Sequence, residues 1–235
     1  MKTFLRSVMV IIQTWLLSLS KTITRKGLED FYLDNLTSLR HREPLYVLNI
    51  GSGGPIAEMV KEGLSRRPQT VLFSLDIAAN RRPDINSDAV FLPLPDNTFD
   101  CVVCAEVLEH IHQPSICIDQ IKRVLKPAGV LLLSTRFIYP LHDRPFDYFR
   151  FTKYGLSHLL QQADFQAISV SEQHNWLETI AVLFVRTFRE QNYTFRVMSW
   201  LVWVPLGLLL AFCAKFIGSD TIDFITSGYF VKAEA

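Results

Sequence analysis

A chain of 235 residues is long enough for one α/β domain with a proper core and too short for two ordinary domains plus a linker. Its 24 basic and 23 acidic side chains leave a formal charge of +1, which excludes the broad basic footprint of a nucleic-acid binder and an acidic tail. Apolar residues make up 49% and aromatics 12%, slightly rich for a soluble domain, and the excess sits at the two ends of the chain.

The first end runs from Phe4 to Leu19, with Arg6, Gln13 and Ser20 spaced by seven and Ser7 and Thr14 beside them. That pattern puts a narrow polar stripe on a helix too short for a comfortable span. Lys2, Arg6, Lys21, Arg25 and Lys26 flank it, as suits a helix lying in an anionic membrane surface. A signal peptide is the main rival, because Ser18 and Ser20 imitate a small-residue cleavage site. A helix packed on the domain itself is the third reading.

Between about residues 45 and 172, short apolar runs alternate with amphipathic stretches at βα spacing, the pattern of a mostly parallel sheet covered by helices. Tyr46 to Ile50 is the first strand, ending in Gly51, Ser52, Gly53 and Gly54. Pro55 then opens a helix where its missing donor costs nothing, and Ile56, Met59, Val60 and Leu64 supply the buried stripe. Val71 to Leu75 is the second strand, stopped by Asp76. A short third is expected at Ala89 to Leu92, and Phe99 to Ala105 is the fourth. After Pro114, the positions of Ile118, Ile121, Val124 and Leu125 mark a helix that Pro127 and Gly129 terminate before a fifth strand from Val130 to Ser134. Thr152 caps a helix carrying Leu156, Leu159 and Leu160. A sixth strand follows at Ala167 to Val170, and Tyr229 to Lys232 is the seventh.

Cys101 and Cys104 form a CxxC inside the fourth strand, where residues three apart face opposite sides, so the pair reads as core rather than as a redox or zinc unit. Val197 to Ala214 has no charged residue and reaches the lower limit for a transmembrane helix. If Tyr229 to Lys232 belongs to the sheet, however, the chain must return to the side it left. Pro205 and Gly207 are then expected to bend a hairpin that dips into one leaflet; a true span and a buried or dimer-forming helix are the other readings. The expected organisation is a helical segment at 1–40, a core at 41–196, a hydrophobic insertion at 197–220 and the last strand at 221–235.

A glycine-rich turn between a strand and a helix lets the backbone come close to a ligand. Asp76, about 25 positions on, is placed for a carboxylate to accept from both hydroxyls of a ribose. This much fits any adenosine-containing cofactor. The segments VLNIGSGG, LFSLDI, DAVFLPLPDNTFDCVVCAEVLEHI and IKRVLKPAGVLLLST, in that order and spacing, resemble the class I S-adenosylmethionine-dependent methyltransferases of the type-11 group over residues 45 to 172. The resemblance implies a Rossmann-like fold with a seven-stranded, mostly parallel sheet and helices on both faces, with S-adenosylmethionine as cofactor. It implies that Gly51 and Gly53 pass the methionine part, Asp76 holds the ribose, Asp88 meets the adenine amino group, Ala89 adds a backbone contact, and Glu106 borders the amino-acid end. Two departures stand out: Asn49 replaces an acidic residue, and Pro55 replaces a third glycine. Asparagine brings no charge to the cofactor ammonium.

In open α/β sheets the reacting ligand lies beyond the carboxyl ends of the strands, so RFIYPLHDRPFDYFRFT, after the fifth strand, is the natural substrate wall. It resembles a type-11 subset with an H, P, DYxRxT signature, filled here by His142, Pro145, Asp147, Tyr148, Arg150 and Thr152. His142 is the candidate base, since imidazole titrates near neutral pH. Arg150 is a candidate partner for an anionic substrate group, and Tyr148 for the pocket wall. Each has a plainer reading: Arg150 bridging Asp147 or Asp143, and His142 a hydrogen-bonded structural residue. Glu109, His110 and His112 cluster good metal ligands, but the LEH belongs to the family's ordinary sequence, and no metal is expected.

The expected function is methyl transfer to a small or lipid-linked acceptor by a protein attached, peripherally or monotopically, to the cytoplasmic face of a membrane. A non-catalytic relative that keeps the fold is the alternative, with Asn49 as its support. A nicotinamide-dependent oxidoreductase is the third reading, against which LPLPDNTFD and RVLKPAG count.

Overall fold

The computed structural model describes residues 23–25, 27–39, 44–53, 55–65, 69–187, 202, 203, 205–210, 212, 213, 216 and 225–235. They fall in two compact units, one made of Leu28–Phe137, Leu141–Ser171 and Gly228–Ala235, the other including Ile138–Pro140 and Glu172–Ser227.

The first unit carries a seven-stranded sheet. Its strands are β1 (Leu45–Ile50), β2 (Thr70–Asp76), β3 (Ile85–Asn86), β4 (Phe99–Ala105), β5 (Leu125–Arg136), β6 (Gln166–Glu172) and β7 (Gly228–Glu234). They lie in the order β3-β2-β1-β4-β5-β7-β6. The β1–β5 strands pair in parallel, and β7 runs antiparallel to β5 from Val130↔Glu234 to Arg136↔Gly228. The helices are α1 (Leu28–Ser38), α2 (Pro55–Ser65), α3 (Pro114–Val124) and α4 (Lys153–Gln162).

Period-two alternation sorts the strand residues into two cores. Leu48, Ile50, Val102, Cys104, Leu131 and Leu133 pack with Ile118 and Ile121 of α3 and Leu156 and Leu160 of α4. Val47, Cys101, Val103 and Leu132 pack with Tyr32 and Leu36 of α1 and Met59, Val60 and Leu64 of α2. Cys101 and Cys104 thus face opposite sides of the sheet, each a buried free thiol. Burial pushes the thiol of Cys104 well above its ordinary range, so neither redox nor metal chemistry is favoured there. Tyr32 of α1 is fully buried and donates its hydroxyl to Ser134 Oγ of β5 at 3.0 Å.

Two expectations need correction. Residues 89–92 form a turn instead of a strand, because Asp88 folds the chain back on itself: its Oδ1 accepts from Val90 N at 3.1 Å and its carbonyl from Phe91 N at 3.0 Å. The short third strand lies earlier, at Ile85–Asn86. Nor do Pro127 and Gly129 end the helix. Leu125 already adopts extended backbone as its cap, and both residues fall inside β5, beside the irregularity where its register against β4 jumps from Phe99↔Leu125 to Cys101↔Val130. The expected cap is present: Thr152 Oγ1 accepts from Gly155 N at 3.0 Å.

The second unit is built on α5 (Trp176–Thr187), a helix not anticipated from the sequence. Asn175 and Glu178 cap it reciprocally, with bonds of 3.0 and 3.1 Å. His174 is buried before it, with Nε2 3.0 Å from Ile23 O and Nδ1 2.6 Å from Ser227 Oγ. A carbonyl only accepts, so Nε2 carries the proton and the ring is neutral when Ser227 donates. Phe4 to Leu19 and part of Val197 to Ala214 lie outside the described residues. Pro205 and Gly207 fall within a helical stretch at 205–210. Among the described residues, no helix is long and apolar enough to cross a membrane.

Candidate functional site

The carboxyl ends of β1, β2, β4 and β5 bring the site together. At the end of β1, Gly51 has φ +77°, a conformation that side chains resist. A Cβ there would run into Val107 Cγ2. The amides of Gly51 and Ser52 donate to Leu75 O at 2.8 and 3.2 Å, folding the turn onto the end of β2. Beneath it Asn49 is 2% exposed, and its Oδ1 is buried without a hydrogen-bond partner. A buried acceptor left unmade costs about 1–3 kcal/mol.

Asp76, 3% exposed, closes the far side. Its Oδ1 accepts from Ala78 N at 2.9 Å and its Oδ2 from Arg81 NH1 at 3.0 Å. Asp88 holds its own turn, with Ala89 buried next to it. Glu106 has φ +56°, donates its amide to Ser134 O at 2.9 Å, and pairs its carboxylate with Arg136. The seven residues expected to hold the cofactor thus lie at strand ends and in the turns that follow them. Asn49 Oδ1 is a buried acceptor with no hydrogen bond in the protein, as a group satisfied by a ligand would be, and a side-chain-free backbone turn fits a close ligand. The residues present therefore suit S-adenosylmethionine, the neutral Asn49 included.

A second group lies beyond β4 and β5. Glu109 sits in a 3-10 turn at Leu108–His110 and is fully buried. Its Oε2 accepts from Thr135 Oγ1 at 2.8 Å, while its Oε1 has no hydrogen-bond partner. Burial, with the nearby Glu106 charge second, pushes its carboxyl up to about 7. His110 Nδ1 lies 2.9 Å from Phe146 O, so that nitrogen carries a proton, and Nε2 lies 4.0 Å from Asp143 Oδ2. The rings of His110 and His142 meet edge to face at 4.7 Å.

Asp147 Oδ2 accepts from the His142 amide at 3.0 Å and lies 3.3 Å from His142 Nδ1, a contact without hydrogen-bond geometry. Desolvation lowers the His142 pKa below its ordinary value, against the opposing pull of Asp147. The Asp147 side chain is 2% exposed. Burial alone would raise its carboxyl, but the paired Arg150 bonds and the His142 amide outweigh that and hold it at about 2.

Arg150 grips Asp147 with both terminal nitrogens at 2.6 Å. Of the two readings of Arg150, loop fixing is the one this geometry displays, and the fork expected for a substrate anion is engaged. Tyr148 is 47% exposed, and its amide donates to Glu109 O at 2.9 Å. Donor atoms of Glu109, His110 and His142 lie within 4.8 Å of one another, a set that suits proton transfer and also has the ligand types of a divalent cation. Sequence reasoning assigned no role to Glu109, His110 or Arg81. The only signal available for the first two was the density of ionisable residues in EHIH.

A methyltransferase-domain family model matches residues 55–133. A ubiquinone/menaquinone biosynthesis C-methyltransferase of Saccharophagus degradans is 40% identical over 68 residues, covering 28% of this chain and 27% of that protein. A ubiquinone biosynthesis O-methyltransferase of Alkalilimnicola ehrlichii is 26% identical over 176 residues, covering 68% of this chain and 65% of that protein. The chain spans 18% to 30% of the length of the first curated relatives it matches. Among solved structures, a SAM-dependent methyltransferase from Archaeoglobus fulgidus superposes with a TM-score of 0.58 at 14% identity, over 88% of this chain and 93% of that one. With its sheet order and glycine turn, the chain has the class I S-adenosylmethionine-dependent methyltransferase fold.

Proposed function

We propose that this protein transfers the methyl group of S-adenosylmethionine to a hydroxyl of a small ring acceptor of the quinone-precursor kind, with His142 as the general base. The observation that carries the reading is His142, backed by the buried Asp147 at 3.3 Å and set beyond β5 on the same edge of the sheet as Gly51 and Asp76. The quinone-related names of the relatives support the acceptor class.

The bound cofactor supplies a methyl group already made electrophilic by its sulfonium. The protein's own residues then orient and deprotonate. The Asp147 carboxylate, 3.3 Å from Nδ1 without hydrogen-bond geometry, favours the proton on that nitrogen by charge, so that the other ring nitrogen accepts the acceptor's hydroxyl proton as the new O–CH₃ bond forms. A His142 pKa lowered by desolvation keeps the ring neutral, and so competent as a base, at neutral pH. The exposed Phe146, Tyr148 and Phe149 offer aromatic faces to a ring substrate.

Attachment at a membrane surface belongs to this proposal. The apolar stripe and flanking basic residues of Phe4 to Leu19 motivate it, as do the exposed Val202, Leu209, Phe212 and Phe216. Deleting residues 1–20 is expected to move protein into the soluble fraction, and an unchanged distribution counts against that helix as anchor. A non-catalytic role is the second reading, favoured by the missing acidic residue at Asn49.

Isotope-labelled S-adenosylmethionine incubated with a lipid extract and with catechol-type acceptors tests the chemistry. The wild type should label a product, and His142→Gln should lower kcat by about 10²- to 10⁴-fold while binding S-adenosylhomocysteine as before. Cofactor binding without labelling of any acceptor supports the non-catalytic reading. Equal turnover by the variant removes His142 from the mechanism.

A further inference from the structure

The carboxylate meant for the ribose already has a partner. Arg81 NH1 lies 3.0 Å from Asp76 Oδ2, and the same side chain crosses the face of the glycine turn. A Cβ on Gly53 would fall 2.6 Å from Arg81 Nε and 2.7 Å from NH1. The arrangement is set by the backbone. Residues Ala79–Arg81 form a 3-10 turn, closed by Arg81 N to Ala78 O and Arg82 N to Ala79 O at 3.0 Å each. Arg82 then takes a left-handed φ of +51°. The chain thereby doubles back, and Arg81 lies over the strand end it has just left.

A ribose diol offers two O–H donors and needs both oxygens of Asp76. Oδ1 is shared with Ala78 N, while Oδ2 faces the guanidinium. The Arg81 side chain also fills the space above Gly53 through which the methionine part would pass. We infer that Arg81 is a latch on the cofactor site, holding Asp76 and covering Gly53 until the nucleoside displaces it. The inference rests on the reading of Gly51, Gly53 and Asp76 as the nucleoside pocket. With its side chain 54% exposed, Arg81 can swing into water without uncovering any core. An ion pair of that exposure is weak and salt-sensitive, as a displaceable group must be.

Calorimetric titration of the full chain with S-adenosylhomocysteine tests this, using the wild type, Arg81→Ala, Arg81→Met and Asp76→Asn at low and high salt. Arg81→Ala should bind about 2- to 5-fold tighter than wild type at low salt, the range an exposed ion pair spans. Arg81→Met should fall between them, because its stem still crosses Gly53. Raising the salt should narrow the gap by weakening the pair in the wild type. Asp76→Asn should lose most of its affinity, which checks the pocket independently of the latch. If Arg81→Ala binds equally or more weakly while Asp76→Asn is impaired, the pocket stands and the latch is overturned. If neither the wild type nor Arg81→Ala binds, the pocket reading fails and the latch with it.

Discussion

Replacing Glu109 with glutamine separates burial from charge at a fully buried acid close to His142. The carboxyl is raised from 4.5 to about 7, chiefly by desolvation. The folded protein therefore binds a proton there that the unfolded chain releases above pH 4.5. Its contribution to stability is fully present below pH 4.5 and is lost as pH rises through about 7. At 1.36 kcal/mol per unit, a shift of that size amounts to about 3 kcal/mol. Glutamine keeps an acceptor for Thr135 Oγ1, now 2.8 Å from Oε2, and cannot ionise. Urea denaturation of both proteins at pH 5, 6, 7 and 8 is the assay. The wild type should lose about 2–3 kcal/mol relative to Glu109→Gln across that range, part of the full effect lying below pH 5, and the difference cancels titrations the two proteins share. A gap that stays constant with pH would show that Glu109 is already ionised in the native state, and the account of its burial would be wrong.

Other perturbations probe the two halves of the site. Gly51→Ala forces a side chain to φ +77° and into Val107 Cγ2. It should cost about 1–2 kcal/mol from backbone strain alone and abolish S-adenosylhomocysteine binding by calorimetry; adding Val107→Ala should relieve the clash but not the strain. Asp147→Asn weakens the paired Arg150 bonds, which should lower unfolding stability by about 1.5–3 kcal/mol and reduce kcat more than cofactor affinity. Because Asp147 is held at about 2, its stabilising contribution is present above the usual 3.8 and lost as pH falls through 2. Wild type and Asp147→Asn should therefore converge in acid, and parallel acid denaturation curves would contradict the Asp147–Arg150 pairing.

The glycine turn and the strand end at Asp76 were legible because their signals are local. A glycine turn, an acidic strand end and period-two alternation are written in consecutive residues, and Gly51, Asp76 and the opposed faces of Cys101 and Cys104 followed from them. The group beyond β4 and β5 depends on contacts between distant positions. Nothing local ties Glu109 and His110 to His142, or Thr135 to Glu109, since the loop after β5 must first fold back over the 3-10 turn at Leu108–His110. The same holds for Arg150, whose partner could be chosen only once Asp147 was seen to be enclosed. The misplaced third strand had a different cause: the apolar residues Ala89, Val90 and Leu92 outweighed the turn-forming carboxylate of Asp88.

The hydroxyl of Tyr32 reaching Ser134 ties a segment that precedes the matched methyltransferase region to the strand from which the loop of His142 and Asp147 departs. Trimming the gene to that recognisable stretch would remove Tyr32 and Leu36, and Val47 with the rest of β1, from beside Val103 and Leu132, leaving a greasy plane bare to water. A shortened version of this protein designed from family boundaries alone should therefore clump, and a usable one has to begin ahead of Leu28.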